Sequence, residues 1–229
     1  MKVQRLRVTF ARGDELKFIT HLDMMRFWER TLRRARIPMA YSEGFSPHPQ
    51  IALAAPLAVG VTGEAELLDV FLETAMKPAE FIAAVTPQLP AGISVTRAEE
   101  VGLALPSMQA ELKASEYLVD VAQPDGVVRE AIERFLAAEH VPWEHQREDQ
   151  VRSYDIREMV YEMDIAASDG STTTIRMLLK NDSSGSGRPE QVALALGLGQ
   201  ATRIHRRRLV LAGASRARTA WRTHGRFAE

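Results

Sequence analysis

Arg26, Arg30 and Arg33 recur at i, i+4 and i+7, and a stiff loop follows them: Tyr41-Ser42-Glu43-Gly44-Phe45-Ser46-Pro47-His48-Pro49. Arginine presents a planar fork of donors suited to phosphate and carboxylate. Stripes of such residues are common footprints of nucleic-acid binding. In the loop, Pro47 and Pro49 fix their own φ and push Ser46 and His48 towards extended backbone. Tyr41 and Phe45 offer flat rings on which a base or sugar can stack. The chemistry suggested is the docking of an anion. Two readings of the arginine stripe stand side by side: a docking face, or a solvated face partly neutralised by Asp23 and Glu29. The loop likewise reads either as a ligand platform or as a corner packing sheet on helix.

Acid–base chemistry has three candidates here, His21, Asp23 and His48. His21 falls in a first helical turn, pointing towards the apolar side, where a half-buried structural histidine is the commoner outcome. Asp23 suits a helix start through the macrodipole. His21-Leu22-Asp23 on a helix does not put two metal ligands on one side, so no metal site is expected.

The elements that must hold these residues follow from periodicity. Thr20–Arg36 reads as a helix with Thr20 as N-cap and Pro38 beyond its end. Leu22, Met25, Trp28, Leu32 and Ala35 form its expected core stripe, and the arginines, with Arg34 nearby, face elsewhere. Strands are expected at Val3–Phe10, Gln50–Leu57, Leu67–Glu73 and Ile93–Glu99, with a turn at Gly60–Gly63 and a helix at Pro78–Thr86. The order is β-α-β-β-α-β. A second set follows: strand Glu116–Ala122, helix Asp125–Glu139, strands Ser153–Ala166 and Thr172–Lys180, helix Pro189–Leu196, strand Thr202–Ala212. The predicted fold is therefore α+β, two tandem ferredoxin-like halves with mostly antiparallel sheets. The halves span residues 1–101 and 115–212, with a linker at 102–114 and a basic, flexible tail at 213–229. Asn181–Gly187 reads as a mobile loop.

In the second half, Asp155 and Arg157 alternate onto one strand face, as a structural ion pair or a ligand contact. Near the end, Arg206 and Arg208 share one side of the last strand, with His205 and Arg207 on the other. They read as a phosphate track along a sheet edge or as edge charges that block aggregation.

Composition narrows the function classes. The 229 residues carry net charge −1. Residues 1–50 hold ten Lys/Arg against five Asp/Glu, residues 51–150 six against seventeen, and residues 151–229 thirteen against eight. Positive ends around an acidic middle suggest an anionic partner. The absence of cysteine excludes disulfides, thiolate catalysis and thiolate-held clusters, so no cofactor is expected. No apolar run approaches the length of a membrane span, and the N-terminus lacks the apolar core of a signal peptide. The cytoplasm is the expected compartment.

One long motif also points outward. Phe18-Ile19-Thr20-His21-Leu22-Asp23, Arg26, Glu29-Arg30, Arg33-Arg34, Ile37-Pro38, Tyr41 through Pro49 and Pro56-Leu57-Ala58-Val59-Gly60 resemble the radical SAM-linked domain of unknown function, here as a stand-alone chain. Tyr154-Asp155-Ile156-Arg157 and Arg206-Arg207-Arg208-Leu209 resemble that family's later motifs. The resemblance implies a radical SAM protein as partner and RNA as the anion, since family genes often neighbour those for an E/G-type ribonuclease and ribosomal proteins. The expected function is a non-catalytic RNA-holding accessory protein for tRNA or rRNA modification. Arg26, Arg30, Arg33, Arg34, Tyr41, Ser42, Phe45, His48, Arg157, Arg206 and Arg208 are its binding candidates. The rival readings are an RNA-processing enzyme using His21 or His48, with Arg30 stabilising developing charge, and a protein–protein adaptor.

Overall fold

The computed structural model describes residues 1–147 and 150–213. The sequence reading of the tail therefore lies outside the described residues from 214 on. The chain forms two compact units, one of Met1–Ser107 with Arg203–Arg208, the other of Met108–Thr202 with the described residues from Leu209 on. It is a mixed α+β protein in which most strand pairs are antiparallel.

In the first unit the order is β1 (Gln4–Arg12), α1 (His21–Arg34), β2 (Ile51–Leu53), β3 (Thr62–Leu72), α2 (Pro78–Val85) and β4 (Ile93–Val101). β1 pairs antiparallel with both β3 and β4, and β2 pairs antiparallel with β3. The spatial order is thus β4-β1-β3-β2. Leu6, Val8 and Phe10 point from β1 into the core, as alternation requires, against Leu68, Val70 and Leu72. Trp28 of α1 is wholly buried there, edge-on to Phe10 with ring centroids 5.0 Å apart.

The helix α1 starts as its sequence dictates. The Thr20 side chain accepts the Asp23 backbone N–H at 3.2 Å. Its end differs from expectation. The stop is a Schellman motif at Arg36, which lies in the left-handed region at φ 56, with Ile37 N–H donating to Leu32 O and Arg36 N–H to Arg33 O. Pro38 is one residue too late to be the cause. The buried face also rotates relative to the expected stripe. Met24, Trp28, Thr31 and Leu32 are buried, Met25 and Ala35 are partly so, and Leu22 is 57% exposed.

The second unit holds α3 (Met108–Glu111), β5 (Leu112–Val121), α4 (Asp125–Ala137), β6 (Pro142–Arg147), β7 (Gln150–Asp155), β8 (Val160–Ser168), β9 (Thr173–Asp182), β10 (Gly185–Ser186) and α5 (Pro189–Ala195). β5, β8 and β10 pair antiparallel with β9. The span expected as a linker therefore contains a helical turn and the start of a strand. The strand expected at Ser153–Ala166 is broken by a 3-10 turn at Arg157–Met159. Its first part pairs with β6 as a separate two-stranded hairpin. Asn181–Gly187 is a tight β9–β10 hairpin, pinned by Asp182 accepting from the Ser184 N–H at 2.8 Å. The last strand, β11 (Arg203–Leu211), is shared: Arg203–Arg208 belong to the first unit, and Val210 packs with Ala114 and Leu178 in the second.

Trp28 fills the first core, but its indole N–H is buried without a partner among the described residues. Trp28→Ala should cost about 3–5 kcal/mol in urea unfolding. Trp28→Phe should cost clearly less, because it keeps the ring and removes the unsatisfied donor.

Candidate functional site

The exposed side of α1 carries Arg26, Arg30 and Arg33, as the spacing requires. Arg26 lies 3.8 Å from Asp23, an exposed contact worth little in water. Among the described residues neither Arg30 nor Arg33 has an ion-pair partner. Arg34 is also exposed, but it turns away from the stripe and donates weakly to Thr31 Oγ1 and to Gln88 O, each at 3.4 Å.

The loop of residues 41–49 is a hairpin. Tyr41 and Pro49 form an antiparallel bridge, Ser42 N–H donates to His48 O at 2.9 Å, and Ser42 Oγ accepts the His48 N–H at 3.0 Å. Gly44 at the tip takes φ 117, which favours glycine. Phe45 is fully exposed, and Tyr41 partly so. A solvated phenyl ring gains nothing from folding, and at the hairpin tip it is open to a ligand. The loop is not a corner packing sheet on helix.

The acid–base candidates are not assembled. Asp23 is engaged as a capping residue, accepting from the Thr20 hydroxyl at 2.7 Å, and that bond holds its carboxyl below the ordinary range. His21 is exposed rather than half-buried; it borders a crevice with Arg12, Met24 and Glu66. No hydrogen bond or ion pair joins His21, Asp23 and His48, and among the described residues no group of three His, Asp or Glu could hold a metal.

Arg206, expected on an exposed strand edge, lies in the interior. It is 1% exposed, so it cannot form part of a surface phosphate track. β11 runs parallel beside β3, with His205 opposite Thr62 and Arg206 opposite Gly63, so these positions are not an open edge. Arg206 Nε donates to Glu66 Oε1 at 2.8 Å, and a second nitrogen donates to Glu66 Oε2. Its remaining donors reach Pro56 O at 3.0 Å and Ala55 O at 3.1 Å. Arg208 is half-buried and engaged; Arg207, exposed, approaches Glu64 at 4.0 Å. Arg157 is likewise structural. Its guanidinium donates to Val160 O at 3.0 Å and Leu136 O at 3.5 Å. Asp155 forms no side-chain pair with Arg157. It accepts the Val141 and Arg157 backbone N–H groups, each at 2.9 Å, and bonds His140 Nδ1 at 2.7 Å. These bonds, led by that from Val141, lower its pKa.

Sequence reasoning missed the partner set of Arg206. Arg12 at the end of β1 is also buried, and burial depresses its pKa while Glu66 opposes the shift. It donates to Ala58 O at 2.9 Å and Val61 O at 2.6 Å. Gly63 sits opposite both Arg12 on β1 and Arg206 on β11. A Cβ there would fall 2.6 Å from Glu66 Oε1, so the carboxylate's position requires glycine. The one available signal was Glu66 between Ala65 and Leu67 in the strand, three residues after a glycine. A second buried set, Arg5 and Arg7 on Asp69, fixes β1 to β3, and Arg5 also bonds Leu105 O and Pro106 O.

The fold and site define an α+β protein whose first unit presents a basic helix face and an aromatic-tipped loop on a mostly antiparallel sheet. The chain belongs to the family described as an uncharacterized protein conserved in bacteria (DUF2344), whose model matches residues 5–189. No curated protein matches it. Among solved structures it is similar to a chain of a Cbf5-Nop10-Gar1 complex at 12% identity and a TM-score of 0.46, covering 88% of this chain and 48% of that one. It is also similar to a chain of an H/ACA RNP bound to a substrate RNA containing 2′-deoxyuridine, at 13% identity and a TM-score of 0.44, covering 88% and 47%. The chain thus spans about half the length of those relatives, and likeness at this level identifies no ligand. Among the described residues no helix is long and apolar enough to cross a membrane.

Removing Glu66 alone would leave two buried arginines facing each other. Glu66→Ala should cost about 3–5 kcal/mol, whereas the double replacement Glu66→Leu with Arg206→Met should recover part of that loss in urea unfolding, the remainder reflecting Arg12, still buried without its carboxylate.

Proposed function

We propose that this chain is a non-catalytic RNA-holding accessory protein that works with a radical SAM enzyme in the cytoplasm, in tRNA or rRNA modification or maturation. The observation that carries the reading is the stripe of Arg26, Arg30 and Arg33, exposed on one helix face, with two of its three cations unpaired among the described residues. Like charges at this spacing repel by a few tenths of a kcal/mol per pair. A bound polyanion removes that cost, and arginine forks suit its phosphates. The exposed ring of Phe45 supplies a surface for a base.

The partnership with a radical SAM enzyme rests on the resemblance of residues 18–60. A chain without cysteine cannot ligate an iron–sulfur cluster by thiolates, so the chemistry would come from the partner. We also read the two units as tandem ferredoxin-like halves. β5, α4, β8, β9, α5 and β11 repeat the element order of the first unit, with β6 and β7 inserted. Pairing of β9 with both β5 and β8 matches the pairing of β3 with β1 and β2.

Fluorescence anisotropy with labelled RNA tests the proposal. Three arginine–phosphate contacts on a single strand predict a slope of log K against log salt of about −2. Replacing Arg26, Arg30 and Arg33 with Glu should abolish binding. An affinity that ignores salt would sink the reading.

A further inference from the structure

The arginine stripe does not end at Arg26. One turn before it stands Leu22, 57% exposed, and four residues earlier Phe18, 71% exposed. Val59 is 56% exposed, and its neighbour Gly60 donates its N–H to Lys17 O at 2.7 Å. Phe18 and Val59 therefore flank the same hydrogen bond. Lys17 Nζ lies 5.4 Å from the Phe18 ring centroid and 3.0 Å from Asp14 Oδ1. Leu22, one turn before Arg26 on α1, and Phe18 and Val59, beside the Gly60–Lys17 hydrogen bond just ahead of the helix, thus leave exposed apolar side chains at the N-terminal end of the basic face.

Nothing in the core requires these side chains outside. Their neighbours Leu16 and Ile19 turn inward and pack on the first core, which shows that the segment had inward positions to offer. The patch is also held in place. Arg12 and Arg206 bond the carbonyls of Ala55, Pro56, Ala58 and Val61, fixing the segment that carries Val59.

We infer that this surface takes single-stranded RNA, with backbone phosphates along Arg26, Arg30 and Arg33 and an unstacked base on Phe18, beside Leu22 and Val59. The inference rests on the proposed RNA-binding function and names its substrate class. The geometry favours one strand. At 1.5 Å per residue, Arg26 to Arg33 covers about 10 Å of helix, and Leu22 lies about 6 Å further on. That is a track for a short run of phosphates ending at an apolar platform. In a duplex the base faces are stacked away, so Phe18 and Leu22 would meet only sugar and phosphate. A single strand offers its base faces to any ring, without need of sequence readout.

The test uses the full chain and a fluorescein-labelled, unstructured RNA of about 12 nucleotides, a size typical of single-strand sites, free or annealed to its complement. The single strand should bind at least about tenfold more tightly than the duplex. Phe18→Ala with Leu22→Ala should weaken single-strand binding by roughly 5- to 150-fold and leave duplex binding unchanged. Phe18→Tyr, which keeps the ring, should retain most of the affinity. Both side chains are largely in solvent, so the variants should melt at the wild-type temperature. Equal affinity for duplex and single strand, or no effect of the double variant, overturns the inference; if the Arg26/Arg30/Arg33→Glu variant still loses binding, the RNA reading survives. No binding of either RNA overturns both, and capture of an acidic protein through the same face would then mark the surface as a protein-docking site.

Discussion

The buried pairing of Arg206 with Glu66, with Arg12 beside it, is the interaction on which the first unit depends. Two cations and one carboxylate sit out of water: Arg206 donates to Glu66 and to the carbonyls of Ala55 and Pro56, and Arg12 donates to those of Ala58 and Val61, its Nε alone lacking a partner among the described residues. Burying charge is tolerated only when such partners are present. The partners here are the carbonyls of residues 55–61, a stretch without regular hydrogen bonding of its own, so the charge cluster gives that stretch one conformation. Gly63 permits the arrangement by leaving room for Glu66. The same contacts join β11 to β3, across 140 residues of sequence.

A rigid interior of this kind leaves the surface free to carry features that cost stability. The outward face of α1 gathers like charges, and the segment before it and the hairpin tip expose Phe18, Leu22 and Phe45. None of these is part of the buried core. A soluble domain scatters single apolar residues over its surface without consequence. A cluster next to a basic stripe is different, because it combines a cation track with rings of the kind that hold single-stranded nucleic acid. The core that supports them is ordinary: Trp28 against Phe10, and three alternating residues of β1 against three of β3.

How far the sequence alone reached depended on whether the deciding force was local. The capping of α1 by Thr20, the outward arginines, the α+β class and the antiparallel strand pairs followed from spacing and turn chemistry, which act over a few residues. The prolines and glycine of residues 41–49 announced a stiff loop, but that it is a hairpin standing clear of the core emerged only in the structure. What tertiary structure decided was which charged groups are buried. Arg206 lies in a run of three arginines, and alternation alone put it on a surface comb. Only the approach of β3, carrying Glu66, turned that position into an interior one. Leu22 was the converse: helical periodicity assigned it to the core, but the core's true centre, at Met24, Trp28 and Leu32, lay to one side and left it in solvent. Periodicity fixes which residues share a face, whereas partners distant in sequence select which face is covered, and no short-range signal encodes that choice.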